Sequence, residues 1–275
     1  MASSKFNTTL FNLAGGAIFL GVSGYMVASF FHTETVPPCS MKYPPGQQFS
    51  LDNGGDAMSA IELQGRAGFR EYGLLANASV EKTEGRPWSN SLVVKLATTN
   101  NPDSAGQNGV GYVWPVRSLK NAQAVCLSYD VYLSKDVDMK APGHLPGLLA
   151  EPTEEAAVDA SGFNARLAWS SQGNVAVDVR SQKAGSDTLS SSKRAAWPRE
   201  KWVRVNQEIE FNAPGKKSGA VRVWVDGNLD IDSSAVKLRS GPEVVFTGVS
   251  GDTGYSRELG KEAAIKISPF VVQWR

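Results

Sequence analysis

Cysteine and histidine are scarce in this sequence. It contains two cysteines, Cys39 and Cys126, and two histidines, His32 and His144. So few ligands argue against a metal site built from these residue types, and we expect no metal ion. Excess charge of either sign is also missing, since 28 lysines and arginines against 27 acidic residues leave a net charge of +1. The overall charge therefore predicts neither a nucleic acid nor an anionic membrane surface as a partner.

Helical periodicity is almost absent after residue 49. Instead, apolar and polar residues alternate in short runs rich in β-branched and aromatic side chains, and glycine, asparagine or proline separates the runs. The runs cover residues 60–63, 91–96, 110–114, 124–133, 202–211, 220–225, 228–231, 244–249 and 264–274. Many short strands without interleaved helices are typical of a two-sheet antiparallel sandwich.

Residues 163–180 carry the most regular pattern. Apolar side chains recur at every second position, at Phe163, Ala165, Leu167 and Trp169 and again at Val175, Val177 and Val179. This alternation around Gly173 predicts an antiparallel hairpin with one face in the core. The other face presents Asn164, Arg166, Asp178 and Arg180 from regular strands, which can hold functional groups rigidly. We therefore look for function on this second face.

Residues 10–31, from Leu10 to Phe31, form an uncharged apolar segment. At 22 residues it is long enough to cross a hydrocarbon core of ~30 Å as a helix. Lys5 before it and Glu34 after it favour an amino terminus inside and a body outside the cytoplasm. A cleaved signal peptide is the alternative, but the apolar run is long and a good cleavage site is missing. We expect an uncleaved single-pass anchor with a periplasmic or extracellular C-terminal domain.

Small residues line one side of this predicted helix. They recur at spacings of three and four, at Ala14, Ala17, Gly21, Gly24 and Ala28. Such a stripe permits close helix association in a membrane, although small residues are also common in membrane helices generally. The predicted organisation is thus a short tail (1–9), an anchor (10–31), a proline-rich extended stem (32–48) and one β domain (49–275), with self-association through the helix as an open alternative.

Two interpretations of the cysteines stay open. In an oxidising compartment Cys39 and Cys126 can pair and tie the segment after the membrane to the domain. Cys126 also alternates with Val125 and Leu127 in a strand pattern, which fits a buried free thiol.

Four motifs follow one another in the second half of the chain. They are Gly143-His144-Leu145-Pro146-Gly147-Leu148, Phe163-Asn164-Ala165-Arg166 with its hairpin, residues 202–212 with Pro214-Gly215, and Val223-Trp224-Val225-Asp226-Gly227. In this order they resemble the alginate and glucuronan lyase group of polysaccharide lyases, family 14 and its relatives, over residues 130–274. The resemblance implies a concanavalin-like jelly roll. The expected fold class is an all-β, antiparallel two-sheet β-jelly-roll sandwich preceded by one N-terminal transmembrane helix.

The resemblance also implies β-elimination at a uronic acid, and hence an acidic polysaccharide as partner. In that scheme a cation or amide neutralises the carboxylate, a base removes the C5 proton and an acid protonates the leaving oxygen, with no cofactor. Arg166 matches the family's strand arginine, and Asn164 lies on the same face, so both are expected to bind the carboxylate. His144 stands where the family usually has a lysine and is the expected base. Both residues also have a simpler interpretation without a role in catalysis. Arg166 is then a solvated charge on the outer face of a sheet, and His144 is a residue of a turn.

The sequence also departs from the family. The second hairpin arm, residues 174–179, lacks the tyrosines that the family carries there, and residues 249–252 replace its usual Phe-Gly-Gly. Tyr255 and Tyr132 are the substitutes that the sequence offers, and Tyr255 joins the candidate catalytic residues. Trp224 alternates with valines and is either a core residue or an outward sugar contact. The candidate substrate-binding residues are Arg166, Arg180, Tyr132 and Trp224.

Three functions remain open at this point. The first is a membrane-anchored lyase of an acidic, uronate-containing polysaccharide. The second is a glycan-binding module that has lost proton transfer. The third is an envelope structural protein that assembles through its helix, with the domain as a spacer.

Overall fold

The computed structural model describes residues 36–68, 70–96, 109–156, 160–181, 185–191, 196–256 and 262–275. From Pro37 to Arg275 they belong to one compact unit. No helix in these ranges is long and apolar enough to cross a membrane. The predicted tail, anchor and first part of the stem, residues 1–35, lie outside the described residues. The anchor, its orientation and the small-residue stripe therefore stay predictions.

One sheet of the described structure has nine strands, all paired antiparallel. Its strands are β1 (Gln47–Phe49), β5 (Ala78–Lys82), β6 (Asn90–Leu96), β8 (Ala124–Leu133), β13 (Trp202–Glu210), β14 (Gly219–Val225), β15 (Asn228–Val236), β18 (Ala263–Ile267) and β19 (Phe270–Trp274). The order across the sheet is β15-β14-β13-β8-β18-β6-β5, while β19 pairs with β8 and β1.

A second sheet has eight strands in the described structure and is also antiparallel. Its strands are β4 (Glu71–Tyr72), β7 (Gly111–Pro115), β9 (Gly143–Pro152), β10 (Phe163–Trp169), β11 (Val175–Ser181), β12 (Gly185–Ser190), β16 (Val244–Ser250) and β17 (Gly254–Tyr255). The order is β12-β11-β10-β9-β16-β7-β4, and β17 pairs with β9. Two further strands, β2 (Asp52–Asn53) and β3 (Asp56–Ala57), form a small ribbon.

The two sheets share one hydrophobic core. Alternate residues of β8, such as Val125 and Leu127, are fully buried in it together with Leu167 and Trp169 of β10. A period of two places the intervening residues on the outer faces, as the sequence pattern predicts. The all-β sandwich of two antiparallel sheets is therefore confirmed.

The central hairpin has the predicted form. β10 and β11 pair in register from Phe163 with Ser181 to Trp169 with Val175, so Arg166 lies opposite Asp178. The apolar positions of both strands lie in the core. Alternation is a local signal, and here burial of one face is enough to fix the register.

One predicted strand is wrong. Residues 60–63 belong to helix α1 (Ala60–Ala67). Ser59 accepts a hydrogen bond from the Glu62 backbone, and the Glu62 side chain accepts one from the Ser59 backbone, which forms a capping box. This signal outweighs a short apolar alternation, and a second short helix, α2 (Leu74–Asn77), follows β4.

The described part of the predicted stem lies against the nine-stranded sheet. Cys39 and Cys126 form a disulfide with a Cα–Cα distance of 5.8 Å, which decides between the two interpretations of the cysteines. The Tyr43 hydroxyl donates to buried Glu208 at 2.8 Å, and the Gln273 amide donates to the Tyr43 carbonyl at 3.1 Å. The compact unit accordingly begins at Pro37, before the boundary at residue 49 that the sequence predicts.

Candidate active site

Several polar side chains project from the outer face of the eight-stranded sheet. Cross-strand register places His144 opposite Ala168, Gly147 opposite Arg166 and Ser250 opposite Gly147. We call this surface the β10 face and define it by its polar side chains on β9, β10, β11 and β16: His144, Asn164, Arg166, Asp178, Arg180 and Ser250.

A β-bulge in β9 brings His144 onto this face. The register shifts between Arg166 and Leu167, so Pro146 is an extra residue in β9. Leu145 and Leu148 can then both point into the core while His144 and Gly147 both point outward. Tyr129 from the opposite sheet donates to the Pro146 carbonyl at 2.9 Å and holds the bulge from below.

Arg166 is the centre of the polar contacts. Its side chain is only 6% exposed; Nη2 donates to Asp178 Oδ2 at 2.9 Å and Nη1 to Asp252 Oδ2 at 3.2 Å. Asn164 Nδ2 donates to Ser250 at 3.0 Å and lies 3.4 Å from the same Asp252 oxygen. Arg166 is therefore a buried, ion-paired group rather than a solvated surface charge.

Unpartnered polar atoms concentrate at the same place. Within the described residues, eight buried side-chain nitrogen or oxygen atoms have no hydrogen-bond partner, and four of them are His144 Nδ1 and Nε2, Asn164 Oδ1 and Arg166 Nε. A buried polar atom without a partner costs about 1–3 kcal/mol. A cluster of four such atoms on one sheet face indicates a site that binds polar groups of a ligand.

Burial keeps His144 neutral. The residue is 7% exposed. Loss of solvation is the largest cause that lowers the pKa of His144 to about 3, and the positive charges of Arg166 and Arg180 lower it further. At neutral pH the imidazole is therefore uncharged beside two arginines, and one of its two nitrogens can accept a hydrogen bond or a proton.

Two clefts adjoin the cluster. One of about 270 Å³ is lined by Arg70, Glu151, Asn164 and Arg180, among others, and one of about 260 Å³ has Arg70 and Asn164 in common with the first. Arg70 binds Glu151 through two hydrogen bonds of 3.0 and 2.7 Å and lowers the pKa of that carboxyl. Both clefts therefore border Asn164.

Sequence reasoning missed five residues of this site. Asp178 alternates with the valines of β11 and Asp252 lies in residues 249–252, but neither pattern indicates a contact with Arg166. Tyr72 lines the cleft of about 260 Å³. Arg70, Tyr72 and Ser250 carry no usable signal in the sequence. Arg70 precedes β4 and Tyr72 belongs to it, and a strand of two residues is too short to show a periodicity.

Three predicted site residues lie elsewhere. Tyr255 is 4% exposed, packs edge-on against Trp169 in the core, and its hydroxyl accepts a hydrogen bond from the Asp138 backbone. Tyr132 and Trp224 belong to β8 and β14, so they lie on the outer face of the opposite sheet. Tyr132 contacts Trp202, and Trp224 is buried with Tyr43 and the disulfide. Alternation of polar and apolar residues predicts that a side chain points outward, but it does not show to which of the two sheets its strand belongs.

The predicted residues His144, Asn164, Arg166 and Arg180 do come together. Arg180 Nε donates to Asp178 at 2.7 Å, and its side chain is 54% exposed. In the described ranges, no three histidine, cysteine or acidic side chains are grouped so that they could hold a metal ion.

Known structures share this fold. A marine PL-14 alginate lyase from Aplysia kurodai superposes with a TM-score of 0.67 at 17% identity, covering 84% of this chain and all of its own. An alginate lyase from a Chlorella virus gives 0.62 at 12% identity, with coverages of 84% and 100%. An endo-β-1,4-glucuronan lyase from Trichoderma reesei gives 0.51 at 12% identity, with coverages of 72% and 87%.

A sequence-family comparison identifies the group. No curated protein matches the sequence significantly. The family described as Polysaccharide lyase 14 matches residues 89–256, which is more than half of the chain and includes β6 to β17 with the whole β10 face. The chain therefore belongs to the polysaccharide lyase 14 family.

Proposed function

We propose that this protein is a lyase that binds an acidic, uronate-containing polysaccharide across the β10 face and cleaves it by β-elimination. The observation that carries the proposal is the cluster of four unpartnered buried atoms on His144, Asn164 and Arg166. The carboxylate and hydroxyl groups of a uronate ring could supply the hydrogen-bond partners that these atoms lack. The similarity to alginate and glucuronan lyases supports the same ligand class.

Arg166 and Asn164 are proposed to hold the uronate carboxylate. The free Nε of Arg166 and the side chain of Asn164 lie on adjacent outward positions of β10. Asn164 Nδ2 donates to Ser250 at 3.0 Å and to Asp252 at 3.4 Å, and the uronate carboxylate would replace Asp252 in the longer bond. Hydrogen bonds to the carboxylate withdraw charge from it, which makes the C5 proton more acidic and stabilises the enolate-like intermediate. The charge-assisted bonds of a buried arginine are strong enough for this task.

His144 is proposed to remove the C5 proton. Its ring is neutral, so one ring nitrogen carries a hydrogen, and the other, which has no partner, can accept a proton. When the intermediate develops negative charge close by, the imidazolium that forms gains an electrostatic partner that the free protein lacks. The pKa of His144 therefore rises during the reaction from its low resting value, as a general base requires.

Charge on the site is balanced before substrate binds. Three arginines, Arg70, Arg166 and Arg180, are each paired with a carboxylate of Glu151, Asp178 or Asp252. A uronate must therefore compete with the two aspartates for Arg166. The second hairpin arm, residues 174–179, also contains no tyrosine that could transfer a proton, and this favours the second candidate function, a glycan-binding module without turnover.

We also propose that the domain lies outside the cytoplasm, tethered by residues 10–31. The disulfide between Cys39 and Cys126 supports this location, because disulfides persist in oxidising compartments.

The experiment that separates lyase from binder uses the full chain with alginate, glucuronan and neutral glucan. The ultraviolet absorbance of the unsaturated uronate reports elimination, and titration calorimetry reports binding. Absorbance that grows with a uronate polymer and not with glucan supports the lyase. Binding of a uronate polymer without absorbance would establish the binding module instead, and no binding to either uronate polymer would contradict both.

A further inference from the structure

We propose that Tyr72 is the general acid that protonates the leaving glycosidic oxygen. This inference rests on the proposed function and supplies the proton donor that the hairpin lacks. Tyr72 comes from β4, which precedes the family-matched region 89–256.

Gly111 creates the space that places Tyr72 on the site. Tyr72 pairs with Gly111 of β7, and a Cβ at Gly111 would lie 2.0 Å from the Tyr72 ring. Tyr72 Cζ and Asp252 Oδ1 each lie 2.6 Å from that same point, so the phenol and the carboxylate are neighbours above the glycine. A side chain at residue 111 would push the ring away from Asp252.

Asp252 connects Tyr72 to the carboxylate site. Its other oxygen accepts from Arg166 and lies near the Asn164 amide. Tyr72, Asp252, Asn164 and Ser250 all line the cleft of about 260 Å³. A uronate held by Arg166 and Asn164 therefore has the Tyr72 phenol beside it.

The surroundings keep the phenol protonated. Burial is the main cause that raises the pKa of Tyr72, and the Asp252 charge raises it further, while Arg166 and Arg180 oppose the shift. A phenol with a raised pKa is protonated at neutral pH and is suited to donate rather than to accept. This divides the roles between Tyr72 and neutral His144.

Each proton and electron pair has a place in the step. His144 takes the C5 proton, and the electrons of that C–H bond form the C4–C5 double bond. The C4–O bond breaks, and the Tyr72 proton moves to the departing oxygen. Tyr72 then regains a proton from solvent and His144 releases one to it, which restores both groups.

The other tyrosines near this region are placed differently. Tyr112 also borders the cleft, but it is 2% exposed and stacks on Phe49 in the core. Tyr255 lies on the core side. Tyr132 lies on the opposite sheet, so Tyr132→Phe is a matched control.

The test compares two leaving groups in the full chain and in Tyr72→Phe. On a uronate polymer, we expect kcat to fall by roughly 100-fold or more, the usual contribution of a general acid, with little change in KM. On a uronoside with fluoride at C4, which leaves without a proton, the variant should retain the wild-type rate. Tyr132→Phe should match wild type on both.

Two results would overturn the inference while leaving elimination intact. One is an unchanged kcat of Tyr72→Phe on the polymer. The other is an equal loss on polymer and fluoride, which would mean a structural role. If the wild-type chain eliminates neither substrate, the proposed function itself fails and the Tyr72 role fails with it.

Discussion

Arg166 and Asp178 face each other across the β10–β11 hairpin, joined by a hydrogen bond of 2.9 Å between Nη2 and Oδ2. The pair defines the chemistry of the β10 face, because it makes the central cation buried, oriented and already neutralised. Asp178 also holds Arg180, so one carboxylate restrains two arginines. A uronate carboxylate must add to this network or displace part of it.

Replacing Asp178 by asparagine should strengthen uronate binding. The variant removes one competing charge and leaves Arg166 oriented by Asp252. We expect the Kd for an oligouronate to fall by roughly two- to fivefold, because removal of one competing charge is worth up to about 1 kcal/mol. Titration calorimetry at fixed salt measures it, with Asp232→Asn on the opposite sheet as a control of equal charge. Equal gains in both variants would show that only net charge matters.

Removing the buried cation should have a larger effect than removing the exposed one. Truncating one member of a buried, hydrogen-bonded charge pair costs about 2–5 kcal/mol, so Arg166→Ala should weaken oligouronate binding by roughly 30-fold or more. Arg180 is 54% exposed, and Arg180→Ala should weaken it only a few-fold. Calorimetry gives both constants, and circular dichroism checks that each variant is folded. The reverse ranking would move the carboxylate site away from Arg166.

Acid should destabilise the fold through His144. The pKa of His144 is about 3 in the fold, whereas an unfolded histidine titrates near 6.5, so between these values the unfolded chain binds more protons. The free energy of unfolding therefore falls below pH 6.5 by about 1.4 kcal/mol per pH unit, and this loss is absent above that pH.

Urea unfolding at pH 7 and pH 5 checks this titration. Wild type should lose about 2 kcal/mol more than His144→Gln on going to the lower pH. Parallel losses in the two proteins would mean that His144 is not held neutral by the fold.

The disulfide should stabilise the domain without affecting the site. It closes a loop with a sequence separation of 87 residues, for which chain entropy gives about 4–5 kcal/mol. The double variant Cys39→Ala/Cys126→Ala should unfold at correspondingly lower urea concentration, and reductant should shift wild type alone. Elimination at low temperature should be unchanged in the variant, since the bond lies on the opposite sheet. A loss of oligouronate binding would link the two faces.

The sequence predicted local features of this protein well. The β10–β11 hairpin follows from alternation within eighteen residues, and its outward side contains the central pair of the site. The turn at Asp226 and Gly227, both with positive φ, joins β14 and β15 as the dipeptide indicates. Such features depend on neighbours in the chain, which a single sequence displays.

Non-local contacts explain what the sequence could not predict. Tyr72 reaches the site because β4 pairs with β7, some forty residues later, and because Gly111 leaves room. Trp224 points outward from its sheet yet is buried, because the disulfide holds the segment that contains Cys39 and Tyr43 over it. Tyr255 belongs to the two-residue strand β17, and the pairing of this strand with β9 determines the direction in which its side chain points. None of these arrangements leaves a periodic trace.

The most direct test of the account is the rate at which unsaturated uronate forms on a saturating polyuronate, measured by ultraviolet absorbance for the full chain and for His144→Gln. We predict turnover by wild type and a loss of roughly 100-fold or more in the variant, with oligouronate binding retained, because the base is removed while Arg166 and Asn164 remain. Undiminished turnover in His144→Gln would contradict the assignment of the β10 face as the site of proton removal.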